Sequence, residues 1–126
     1  MIDTNNLLII DYDKFDYLIK SLIYMIREWK NVSTLTNIVA IPRGGLVPAV
    51  YLSHALNIPL SQEISETSLI VDDVADSGVT LLPYRNNITA TLHYKPTSLV
   101  MPTFYVEHTT KWIVYPWETN CPTITP

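Results

Sequence analysis

Cysteine, basic charge, long apolar runs and glycine are all scarce in this sequence, and each scarcity excludes something. Its one cysteine, Cys121, rules out an internal disulfide and a cysteine-rich zinc site, and suits a reducing compartment. Eight Lys and Arg stand against twelve Asp and Glu, giving a formal net charge of −4 and a pI near 5.1. No global basic surface exists to grip nucleic acid, so an anionic ligand must be held locally, by backbone amides or placed cations. Nothing approaches the ~20 consecutive apolar residues of a membrane span. The opening MIDTNNLLII lacks the basic start and long apolar stretch of a signal peptide. These features lead us to expect a soluble, cytoplasmic protein that binds neither nucleic acid nor membrane.

What is present describes a packed domain. Apolar residues make up 48% of the 126 and charged residues 16%, enough for one core and too few residues for two ordinary domains. We expect that domain over residues 1–118, with a loose tail, TNCPTITP, over 119–126. From about Tyr12 to Lys30, the residues Phe15, Leu18, Ile19, Leu22, Ile23, Ile26 and Trp29 recur at helical steps, and Asp11 or Asp13 can cap the start. LVPAVYLSHAL returns to helical spacing. Strands are expected at Leu7–Ile10, Asn37–Ile41, near Ile58–Gln62, at SLIVDD, ITATLHY, FYV and WIVY, with a brief turn or helix from Val79. Strands alternating with helices indicate an α/β fold with a mostly parallel sheet flanked by helices.

Glycine is the sharpest clue. An average content of roughly 7% would give about three times as many as the Gly44, Gly45 and Gly78 found. All three lie in loops directly after apolar strands, where parallel sheets bind ligands. In DDVADSGVT, Ser77, Gly78, Val79 and Thr80 can wrap amides and hydroxyls around a phosphate at a helix start. Asp72, Asp73 and Asp76 would then face sugar hydroxyls, a metal ion or a proton to be taken. A calcium loop fails because Val74 takes a position that needs an acid, and a Walker-type loop is missing. A phospho-receiver needs a later acceptor aspartate, and none follows Asp76. The bland alternative is a solvated turn with capping Asp and Ser.

LIVDDVADSGVT resembles the phosphoribosyl-pyrophosphate (PRPP) signature of type I phosphoribosyltransferases, and IVAIPRGGLVPA resembles their pyrophosphate loop. HYKPTS and KWIVYPWE resemble the purine-site segments of the xanthine–guanine and hypoxanthine branch. The order of these segments matches from about Leu7 to Glu118. The resemblance implies the type I phosphoribosyltransferase fold with a reduced C-terminal hood. It also implies an enzyme of purine salvage that joins a 6-oxopurine to PRPP, releasing pyrophosphate and a nucleoside monophosphate. Asp72 and Asp73 would meet the ribose hydroxyls and the Mg²⁺ shell, and Asp76 would manage the proton near N7 of the purine. Asp76, Ser77, Gly78, Val79 and Thr80 would form the 5′-phosphate loop, while Arg43, Gly44 and Gly45 would hold pyrophosphate. Lys95 would donate to the 6-oxo group, Trp112 would stack on the base, and the Ile113 backbone would read its edge. A cis peptide entering Arg43 and a homodimer or higher oligomer are implied as well.

The resemblance has gaps. PLSQEISETS links two strands directly where family members usually carry a long flexible lid, and Pro83 cuts short the helix after Thr80. A PRPP or nucleotide sensor with little chemistry therefore stands beside the enzyme. Glu118 carries no assignment, and His54, His93 and His108 show no ligand spacing.

Overall fold

The computed structural model describes residues 6–118, so the expected tail at 119–126 lies outside the described residues. Its strands are β1 (Leu7–Ile9), β2 (Asn37–Ala40), β3 (Ser68–Val71), β4 (Val74–Ala75), β5 (Ile88–Ala90), β6 (His93–Tyr94), β7 (Glu107–His108) and β8 (Trp112–Val114). Its helices are α1 (Tyr12–Arg27) and α2 (Leu46–Leu56). Helix α1 follows the periodic stripe: Phe15, Leu18, Ile19, Leu22 and Ile26 are buried, and the Asp11 side chain caps the start by accepting from the Lys14 N–H at 2.8 Å. Burial of each such side chain stabilises by about 1.5–3 kcal/mol. The helix ends at Arg27 rather than Lys30, because Trp29 leaves the helical path and packs edge-on against Phe104, with ring centroids 5.6 Å apart.

Every strand pairing is parallel among the described residues. The central sheet runs β2-β3-β5, with Val39 opposite Ile70 and Ile70 opposite Thr89. A second sheet runs β4-β6-β7, and β1 pairs with β8. Ile38, Leu69, Val71, Ala90 and Leu92 join the α1 stripe and α2's Ala49 and Leu52 in one core.

Several expected strands are shorter or divided. SLIVDD leaves the central sheet after Val71, the chain pairs again just beyond it as β4, and ITATLHY divides into β5 and β6. The two breaks are coupled: the Asp72 N–H bonds the Ala90 carbonyl at 3.1 Å, and the Asp73 carbonyl accepts from Leu92 and His93 N–H at 2.9 and 3.2 Å. The strand expected near Ile58–Gln62 is a single bridge at Leu60, and FYV is a single bridge at Phe104. Polar bonds occupy the first of these segments: Asn37 Nδ2 donates to Ser61 Oγ at 2.8 Å and to the Glu63 carbonyl at 2.7 Å. The short link between α2 and β3 is thus tied along the edge of β2.

Candidate active site

Asp72 and Asp73 sit at the joint where the chain passes from the central sheet into the second one. Asp72 Oδ1 accepts from the Asp73 N–H at 2.8 Å, and Asp73 Oδ1 accepts from the Val74 N–H at 2.8 Å. Burial pushes the Asp72 carboxyl up to about 8, and the neighbouring Asp73 charge adds to the rise. Burial also raises Asp73. Two half-buried carboxylates that resist ionising together form an oxygen-donor site for a hard cation. Among the described residues no cluster of three or more His, Cys, Asp or Glu could cage a metal. Two carboxylates alone match the donor set of Mg²⁺, which commonly takes one or two and completes its shell with water and substrate oxygens.

The loop after β2 comes up against this pair. Its Pro42–Arg43 peptide is cis, as the family resemblance implied. A side chain at Gly44 would collide with the Asp73 carboxylate, and one at Gly45 would meet the carbonyls of Val71 and Ile41. Both glycines are there for close approach. Arg43 is exposed, and its guanidinium has no hydrogen-bond or ion-pair partner among the described residues.

Beyond β4 the chain turns through Asp76–Thr80. Gly78 has φ of +84°, and an added Cβ would lie 2.5 Å from both the Leu99 nitrogen and Ser98 Oγ. Asp72, Asp76, Ser77, Gly78 and Thr80 line a hollow of about 60 Å³. The Val79 N–H bonds Ser77 Oγ at 3.3 Å. A second loop braces this turn from behind, through Leu99 N–H to the Ser77 carbonyl at 2.8 Å and Thr97 Oγ1 to the Asp76 carbonyl at 3.2 Å. Only a 3-10 turn, Leu82–Tyr84, follows. Anion binding here would thus rest on loop amides and hydroxyls, and the helix dipole expected from sequence is missing because only this short turn follows.

A larger cavity of about 220 Å³ adjoins the acids, lined by Asp73, Val74, Asp76, Lys95, Trp112, Ile113, Tyr115 and Glu118. Lys95 is 8% exposed, with Nζ 3.4 Å from Asp76 Oδ2 and 5.7 Å from the Trp112 ring centroid. Trp112 is 53% exposed, so it presents its ring rather than filling the core. Val114 accepts from the Ile10 N–H at 2.9 Å, so ladder alternation turns the Ile113 N–H and carbonyl away from β1. Asp76 lines both the cavity and the hollow.

Two residues of this cavity escaped the sequence reading. Tyr115 is buried beside Trp117 in a stacked pair, and Glu118 Oε1 accepts the Tyr115 N–H at 2.8 Å. His93 is buried too, and burial lowers its ring to about 4, which keeps it neutral.

No family model matches the chain. It is 32% identical over 116 residues to a xanthine-guanine phosphoribosyltransferase of Gluconobacter oxydans, covering 65% of this chain and 68% of that one. It is also similar to a purine phosphoribosyltransferase structure from Pyrococcus horikoshii, with TM-score 0.77 and 31% identity over 90% of this chain and 94% of that one. The chain belongs to the purine phosphoribosyltransferase family. A xanthine-guanine-hypoxanthine phosphoribosyltransferase from Helicobacter pylori, at TM-score 0.75 and 18% identity, shares the fold with this phosphoribosyltransferase. The chain is an enzyme of the purine phosphoribosyltransferase type, and its α/β architecture with parallel sheets is the fold of those neighbours. Among the described residues of this phosphoribosyltransferase no helix is long and apolar enough to cross a membrane.

Proposed function

We propose that the chain transfers the phosphoribosyl group of PRPP to N9 of hypoxanthine, guanine or xanthine, releasing pyrophosphate. The observation that carries this reading is the contiguity of three subsites. Asp76 belongs to both the base-sized cavity and the small hollow, and the acidic pair lies at their junction beside Gly44. Base, sugar and phosphate would thus occupy one continuous surface.

In this reading the C1–O bond to pyrophosphate breaks as the bond from C1 to N9 forms. Positive charge grows on the sugar and negative charge on the leaving group. The amides of Gly78 and Val79 and the hydroxyls of Ser77 and Thr80 hold the 5′-phosphate. Arg43, without a side-chain partner among the described residues, takes a pyrophosphate oxygen, and the backbone at Gly44 and Gly45 lets that group approach. Mg²⁺, when held by Asp72 and Asp73 directly or through water, supplies neutralisation of the departing pyrophosphate. Lys95 Nζ donates to the 6-oxo oxygen while balancing Asp76, which takes the proton displaced from the purine ring; a placed base of this kind contributes ~10²–10⁴ in rate. Trp112 stacks on the base, and the N–H and carbonyl of Ile113, turned away from β1, read its edge.

Placement of the unit within 1–118, work as a homodimer or higher oligomer, and a role in cytoplasmic purine salvage complete this reading. The purified protein with Mg²⁺, PRPP and each 6-oxopurine should yield the matching nucleoside monophosphate by liquid chromatography. Binding of PRPP by calorimetry with no product from any base would overturn the catalytic reading and leave a nucleotide sensor.

A further inference from the structure

We propose that Tyr115 is a positioning residue that ties the base-binding segment to the backbone of the acidic pair, through a relay from His93 Nδ1–H to the Tyr115 hydroxyl to the Asp73 carbonyl. This rests on the reading of the site given above and deepens it. The direction of the relay follows from donor chemistry. A carbonyl only accepts, so for the 3.0 Å contact to be a hydrogen bond the single hydroxyl proton of Tyr115 goes to the Asp73 oxygen, which also takes the Leu92 and His93 N–H groups. The hydroxyl oxygen must then accept from His93 Nδ1, 2.8 Å away. With both bonds made, the ring of His93 is the Nδ1–H tautomer. Its Nε2 is left as the lone-pair nitrogen, and it is buried without a hydrogen-bond partner among the described residues. Glu107 Oε1 lies 3.7 Å from Nε2, while Oε2 is held by Lys14 Nζ at 2.7 Å.

The tie acts on the reacting region from both ends. The Asp73 carbonyl marks the joint between β3 and β4, so its position sets where the Asp73 carboxylate points and where Asp72 lies. At the other end, Tyr115 is two residues past Ile113, and its own N–H holds Glu118 at the rim of the base cavity. Trp117 stacks on the Tyr115 ring with centroids 4.8 Å apart and planes 2° from parallel. A phenylalanine would keep that packing and lose only the hydroxyl.

Tyr115→Phe and nitrogen-15 spectra of the His93 ring provide the test. The wild-type protein should show a protonated Nδ1 and an unprotonated Nε2, and the variant should shift toward the Nε2–H form that Glu107 can accept. In the variant, kcat/KM for PRPP should fall about 3- to 10-fold, the scale of one hydrogen bond, with KM for the purine within about twofold. An Nε2–H ring in the wild-type protein would overturn the relay without any variant. Wild-type kinetics in a folded Tyr115→Phe protein would overturn the positioning role. Should the wild-type protein make no nucleotide, the proposed function fails separately. The tie is then judged by whether Tyr115→Phe changes the response of the Asp73 amide signal to added Mg²⁺, and an unchanged response overturns it.

Discussion

Replacing Asp72 by asparagine is expected to stabilise the protein at alkaline pH while weakening its hold on the metal-bound substrate. The Asp72 carboxyl rises from an ordinary 3.8 to about 8, chiefly through burial. A group that holds its proton more tightly when folded supports the fold at low pH. That support is lost as pH climbs from about 4 through about 8. At ~1.36 kcal/mol per unit the full shift sets an upper bound of about 5–6 kcal/mol. Solvent screening at a partly exposed carboxylate, and the share carried by Asp73, bring the expected effect to about 2 kcal/mol. Urea unfolding of wild-type and Asp72→Asn proteins at pH 5 and pH 9, without metal, measures it. The variant should gain on the wild type by about 2 kcal/mol between the two conditions. Parallel pH curves, or a variant that loses ground at pH 9, would refute the reasoning. Calorimetry of Mg²⁺ and PRPP in buffers of different ionisation heats should show proton release in the wild type and less in the variant.

Other substitutions separate the subsites. Gly78→Ala forces a side chain into φ of +84° against the Leu99 backbone; it should cost about 1–3 kcal/mol of stability and at least tenfold in PRPP affinity by calorimetry. Arg43→Ala should leave the urea midpoint almost unchanged, within about 0.5 kcal/mol, because the guanidinium has no partner among the described residues, yet slow the pyrophosphate-dependent reverse reaction by about tenfold or more. Lys95→Met should lower kcat/KM for the purine by about tenfold or more and leave PRPP binding intact; an equal loss for both substrates would point instead to a collapsed loop.

Much of the fold was legible because it rests on period. The stripe from Phe15 to Ile26 could form only one kind of helix, and apolar runs ending in glycine loops placed the ligand side of the sheet. Local pattern could not show where strands change partners. ITATLHY is uniformly strand-like, yet it splits because the Asp73 carbonyl, 18 residues before Thr91 in the chain, captures the Leu92 and His93 amides. The segment after α2 looked like a strand by composition, but Asn37 bonds its backbone to the edge of β2. At the site, Gly44, Gly78 and the aspartates were visible as unusual residues at strand ends. Tyr115 and Glu118 were hidden: one reads as the last letter of an apolar strand, and the other gains meaning only from the Tyr115 N–H it accepts. The 3-10 turn at Leu82–Tyr84 shows the opposite case, since the sequence already offered no more than a brief turn or helix from Val79.

The central claim is that one continuous surface joins base, sugar and phosphate for transfer rather than for binding alone. Phosphorus-31 spectra of the protein with Mg²⁺, PRPP and hypoxanthine test it most directly. Transfer predicts nucleotide and pyrophosphate signals growing in equal amounts. Unchanged PRPP, or ribose 5-phosphate and pyrophosphate without nucleotide, would contradict it.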